Sequence, residues 1–135
     1  MAIDFGTRRI GIAISESESL ASPHSVVRNE GDIVSRLAAI AGDLSADTIV
    51  VGIPRRSHHH PSEEKFRRLA DALRQQTCKE VILWDEALTT AEASNQLRES
   101  GRSRREAQRE IDMHAAAVIL QSYLDSRQRE AGRRS

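Results

Sequence analysis

The chain opens with two short apolar runs, Ala2-Ile3-Asp4-Phe5 and Ile10-Gly11-Ile12-Ala13-Ile14, joined by only Gly6-Thr7-Arg8-Arg9. So short a connection leaves room for a tight turn and little else, so the two runs read as neighbouring antiparallel strands. Both are apolar nearly throughout, as expected of central strands covered on two faces. Asp4 breaks that pattern. A carboxylate between Ile3 and Phe5 is costly to bury unless something compensates its charge, and a bound cation is one such compensation.

The rest of the chain alternates. His24–Arg28 reads as a third strand, and a helix follows over Asp32–Leu44 with Ile33, Leu37, Ile40, Ala41 and Leu44 on one stripe. Thr48–Ile53 is a buried strand stopped by Pro54, and Arg55–Pro61 an irregular loop. Ser62 is a plausible N-cap, with Glu63 and Glu64 in the first turn and Phe66, Leu69, Ala70 and Leu73 on the buried face. Val81–Trp84 is the next strand. Thr89 and Glu92 fit a capping box for a short helix to about Glu99, ended by Gly101. Glu110–Arg127 is the last helix, with Ile111, Ala115, Val118, Ile119 and Ser122 along one side. A meander followed by alternating helices and strands predicts an α/β domain with a mixed sheet and helices on both faces. The 135 residues suit one domain, residues 1–127, with 128–135 as a basic, disordered tail.

Composition narrows the function. No apolar run approaches the ~20 residues that span a bilayer, so no membrane role is expected. The opening lacks the basic and apolar regions of a secretory signal, and the lone Cys78 suits a reducing cytoplasm. Phe5, Phe66, Trp84 and Tyr123 are too few for a base-stacking platform. The formal net charge is zero, but arginines gather late: Arg102, Arg104, Arg105 and Arg109 face one acid, Glu106, and a second basic group follows Arg127. The planar guanidinium fork matches phosphate.

Acids at three points along the chain follow apolar runs in a way that serves chemistry. In a sheet of this order, strand 1 and the two later strands lie parallel, and their carboxyl ends share the edge where open α/β sheets place their sites. Asp4 lies near one such end, Asp85 and Glu86 just past another, and Asp112 in the first turn of the last helix folds back over the same edge. Carboxylates that converge repel one another without a cation. With hard ions such as Mg2+ or Mn2+ they form a site for phosphodiester hydrolysis. Taken singly, Asp85 also reads as a turn residue and Asp112 as a helix N-terminal acid.

Four collinear segments resemble one family. They are Asp4-Phe5-Gly6-Thr7-Arg8-Arg9-Ile10-Gly11-Ile12-Ala13, Val51-Gly52-Ile53-Pro54, Asp85-Glu86-Ala87-Leu88-Thr89-Thr90-Ala91-Glu92-Ala93 and Ile111-Asp112-Met113-His114-Ala115-Ala116. Together they look like the YqgF/RuvX family, described as Holliday-junction resolvases and as nucleases maturing the 5′ end of the small-subunit ribosomal RNA precursor. The resemblance implies a ribonuclease H-like three-layer fold with a five-stranded sheet in the order 3-2-1-4-5. It implies a divalent-metal-dependent nuclease whose catalytic and metal-binding acids fall on Asp4, Glu86 and Asp112, with Asp85 the adjacent alternative. It implies Mg2+ or Mn2+ as cofactor. The expected partner is nucleic acid, either precursor ribosomal RNA or branched DNA, engaged by a monomer or a homodimer. Thr7, Arg8, Arg9, Arg55, Arg56, Arg102, Arg104 and Arg105 are the expected nucleic-acid contacts.

The chain departs from the family pattern twice. Ala87 stands where the family usually has Arg after the Asp-Glu pair, and Arg55–Pro61 replaces a loop typically rich in Gly, Asn and Asp. These departures keep a second reading open, a non-cleaving RNA-binding factor of ribosome assembly. His58, His59 and His60 lack partners at metal-site spacing and read as a basic loop. His114 reads as a partly exposed helix residue and Cys78 as filler. The Asp-Phe-Gly-Thr start also resembles the phosphate motif of actin-like ATPases, but one domain has no room for their second lobe.

Overall fold

A computed structural model describes residues 1–54, 62–86 and 104–134, apart from a few side chains that include Glu86. Strands β1 (Ala2–Phe5), β2 (Arg9–Ile14) and β3 (Ser22–Arg28) form an antiparallel meander. Helix α1 (Ile33–Asp43), strand β4 (Thr48–Pro54), helix α2 (Ser62–Thr77) and strand β5 (Glu80–Glu86) follow, and helix α3 (Arg104–Arg134) closes the fold. The sheet order is β3-β2-β1-β4-β5, with β4 parallel to both β1 and β5. This is the mixed five-stranded sheet expected from the sequence.

The two faces are covered differently. On one, Ile3, Ile10, Ile12, Ile49 and Val51 pack against Leu37 of α1 and Phe66, Leu69 and Leu73 of α2. Large branched side chains fill this layer. On the other, Ala2, Ala13 and Val50 meet Ala116, Ile119, Leu120 and Tyr123 of α3. Small residues on both partners let α3 settle close to the sheet, and that closeness builds the site described below. Trp84 anchors the β5 end of this layer. Its ring meets Tyr123 edge-on with centroids 5.5 Å apart, and its N–H donates to Ser122 Oγ at 3.1 Å.

Several expectations are corrected. The last helix begins at Arg104, so Asp112 lies two turns inside it instead of in the first turn. It also continues through Arg134, where a tail was expected after Arg127. Residues 128–132 are exposed, and good helix formers such as Arg, Gln, Glu and Ala sustain the helix there without a core to pack on. Of its expected stripe, Ile111 and Ile119 are buried, but Ala115, Val118 and Ser122 are only partly covered, and Ala116, Leu120 and Tyr123 complete the sheet-facing side instead. Asp85 and Glu86 belong to β5 and do not follow it. The expected helix over Thr89–Glu99 lies outside the described residues.

Candidate active site

Asp4 sits in the centre of the sheet near the carboxyl end of β1. Its register neighbours are Gly11 on β2 and Gly52 on β4, and Trp84 lies beyond Gly52 on β5. Both glycines face α3. A Cβ at Gly11 would collide with the backbone carbonyl of Asp112, and one at Gly52 would collide with Ile119 Cδ1. Bare backbone on either side of Asp4 therefore lets α3 rest on the sheet, and this sets Asp112 beside Asp4.

Burial first, and the nearby charge of Asp112 second, together raise the Asp4 carboxyl from its ordinary 3.8 to about 6. Among the described residues nothing donates a hydrogen bond to Asp4. Asp112 is held differently. Arg9 Nε donates to its Oδ2 at 2.8 Å, and Gln108 Nε2 donates to its Oδ1 at 3.1 Å. The Arg9 side chain remains 44% exposed and that of Asp112 17%, so the pair lies at the mouth of the site.

The turn that carries Arg9 is braced. Gly6 N–H donates to Arg9 O at 3.1 Å, and a Cβ at Gly6 would strike that same carbonyl. Asn29 clamps the turn from the end of β3: its side chain donates to Gly6 O and its backbone N–H to Arg8 O, each at 2.9 Å. Thr7 and Arg8 stand exposed at the tip. Sequence reading did not single out Asn29 or Gln108. The Asn29-Glu30-Gly31 turn signal, with Gly31 at φ +66°, was the one available hint for Asn29.

The remaining expected residues fall in different places. Asp85 pairs with Ile53 in register, and both have the pleat parity of the α1/α2 face, opposite to Asp4. Position 86 has the parity of Trp84 and hence of Asp4's row, and it lies opposite Pro54. Arg104 and Arg105 are exposed at the start of α3. His114 is exposed on the same helix and Cys78 is exposed beyond α2. Arg55, Arg56, His58, His59, His60, Ala87 and Arg102 lie outside the described residues. Among the described residues no three His, Cys, Asp or Glu side chains converge as a metal cluster, and no helix is long and apolar enough to cross a membrane.

The donors present suit a hard cation. A half-buried carboxylate with no hydrogen-bond donor among the described residues, beside a second carboxylate that already attracts a guanidinium, is an oxygen-lined locus of negative charge.

Comparison with known proteins identifies the family. Residues 1–126 match the family model described as RuvX, Holliday junction resolvase. A protein of Geobacillus kaustophilus (strain HTA426) is 38% identical over 134 residues, covering 94% of this chain and 97% of that protein. One of Mycobacterium tuberculosis (strain ATCC 25177 / H37Ra) is 41% identical over 133 residues, covering 94% of this chain and 78% of that one. Both bear the name "Putative pre-16S rRNA nuclease". With its ribonuclease H-like sheet and a match over nearly its whole length, the chain belongs to the RuvX (YqgF) family.

Proposed function

We propose that this protein is a divalent-metal-dependent endonuclease that hydrolyses phosphodiester bonds in the 5′-end maturation of pre-16S ribosomal RNA. One observation carries the reading: α3 brings Asp112 against Asp4, and the resulting pair of carboxylates is costly to leave uncompensated. The names of the relatives supply the substrate class.

Asp4, Asp112 and Glu86 would hold Mg2+ or Mn2+. A bound cation supplies Lewis-acid polarisation of the scissile phosphate and activation of water. The chain's own residues do the rest. Asp4 fixes the site on a rigid strand at the centre of the sheet. Gln108 orients Asp112. Arg9 and Arg8, on the clamped β1–β2 turn, meet the phosphates of the incoming strand.

The test is a cleavage assay with purified protein on a precursor-16S fragment and, in parallel, on a four-way DNA junction, each with Mn2+ and with chelator. Mn2+-dependent cutting of the RNA is expected. Cutting of the junction alone would move the substrate to branched DNA. Binding of the RNA without any cleavage would favour the assembly-factor reading.

A further inference from the structure

The first turns of α3 carry positive charge on the strip of helix that, farther along, packs on the sheet. Asp112 lies over Gly11 near the start of β2, while Gln121 reaches Ser19 and Ala21 past the end of β2, so α3 runs along β2. Residues before Gln108 therefore overrun the start of the strand, at the edge where Arg9 meets Asp112. Spacings of four and three residues link Arg105, Arg109, Asp112, Ala116, Ile119 and Tyr123 into one continuous strip. Ala116, Ile119 and Tyr123 are buried on the sheet. The strip turns from apolar to acidic to basic as it leaves the sheet.

Viewed down the axis, Arg105 and Arg109 each lie about 20° from the fully buried Ala116, whereas Arg104 lies about 120° away. Both strip arginines are exposed. Among the described residues, most arginines away from this strip are engaged. Arg36 donates to the Arg28 carbonyl, Arg68 pairs with Glu64, Arg74 with Asp71, and Arg127 donates to Tyr123. Among the described residues, the guanidinium groups of Arg8, Arg28, Arg104, Arg105, Arg109 and Arg129 make no such bond. All but Arg129 stand at the edge that carries Asp4 and Asp112; Arg28 is there because it pairs in register with Arg9. Arginines left free at one edge of the fold are available for an anionic ligand.

Building on the nuclease reading, we infer that Arg105 and Arg109 form a phosphate-binding ridge that holds the substrate strand on one side of the cut. Arg109 lies about 4.5 Å along the axis from Asp112, and Arg105 about 6 Å farther. That second step is comparable to the spacing of successive phosphates along a strand. Arg109 thus holds the phosphate next to the one being cut, and Arg105 the one after it. The contacts are to the backbone and carry no sequence preference.

The test reads binding alone, without divalent metal, in an Asp4→Asn background, so the result does not depend on whether the protein cuts. The probe is a fluorescein-labelled RNA spanning the 5′ end of 16S ribosomal RNA, titrated at several salt concentrations. Arg105→Gln and Arg109→Gln should each weaken binding about five- to tenfold and lower the salt slope by about 1. Arg104→Gln should weaken it less than either, and Arg129→Gln, at the far end of α3, should leave it unchanged. Equal effects at positions 104 and 109, or an unchanged salt slope in the Arg105→Gln/Arg109→Gln double variant, would overturn the ridge. The substituted positions are exposed, so the variants are expected to fold.

Discussion

Arg9 and Asp112, separated by 103 residues, meet at 2.8 Å across the mouth of the site, so the guanidinium occupies the place a cation would take beside the carboxylate. Arg9 and a divalent ion therefore compete for Asp112. Calorimetric titration of Mn2+ into Arg9→Ala, without nucleic acid, should show two- to fivefold tighter binding than wild type, about the worth of a part-exposed ion pair. Folding stability should change by less than about 1 kcal/mol, because the pair is partly solvated. Weaker Mn2+ binding in Arg9→Ala would mean that Arg9 supports the site instead of competing for it.

Asp4 gives a pH signature. Its carboxyl is raised to about 6 in the fold, above the ordinary 3.8, so the native state holds its proton more tightly than the unfolded chain. The cost of ionising it is absent below about pH 4, grows as pH rises between the two values, and is fully present above about 6. In chelator at pH 7.5, Asp4→Asn should therefore be more stable than wild type by up to about 3 kcal/mol, measured by urea unfolding. At pH 4 the two proteins should converge. A destabilised Asp4→Asn at neutral pH would show that Asp4 is already well compensated.

The glycines flanking Asp4 should differ in cost. Gly52→Ala meets the flexible end of Ile119, which can turn aside, for about 1 to 2 kcal/mol. Gly11→Ala meets the Asp112 backbone carbonyl, which moves only if α3 moves, so about 3 kcal/mol or more is expected. Gly11→Ala should also lose most cleavage activity, since Asp112 shifts with the helix. Unfolding curves and initial rates for the two variants check this. Equal penalties would place the tight packing elsewhere.

Asn29 should act through the turn alone. Asn29→Ala removes the hydrogen bond to Gly6 O and should cost about 1 kcal/mol. Because it loosens the mount of Arg8 and Arg9 and leaves the acids alone, KM for RNA should rise severalfold with kcat nearly unchanged. A fall in kcat with KM unaltered would contradict that division.

Much of the fold was legible because apolar runs are local signals. Val50, Val51 and Ile49 identify a buried strand without reference to anything else in the chain. Asp4 was legible for the same reason, as an acid out of place among strand residues. The Arg9–Asp112 bond and the Asn29 clamp were not, because each joins segments that only the finished topology brings together. The extent of α3 was missed because apolar periodicity fades in its arginine-rich first turns and exposed last turns, where intrinsic propensity sustains the helix. Arg105 and Arg109 were legible as members of an arginine cluster, but their alignment with the sheet-facing strip was not. Arg105 and Arg109 continue the Ala116–Ile119–Tyr123 strip, but a search for apolar spacing does not count arginine. The opposite pleat parities of positions 85 and 86 were hidden too, because they follow from the β4–β5 register.

The most direct test of the central claim is a Mn2+ titration at pH 7.5, followed by the electron paramagnetic resonance signal of the free ion. Wild type should bind Mn2+, and Asp4→Asn and Asp112→Asn should each bind at least about tenfold more weakly, a loss of about 1.4 kcal/mol or more. Undiminished Mn2+ affinity in both variants would contradict the claim that these two carboxylates hold the catalytic cation.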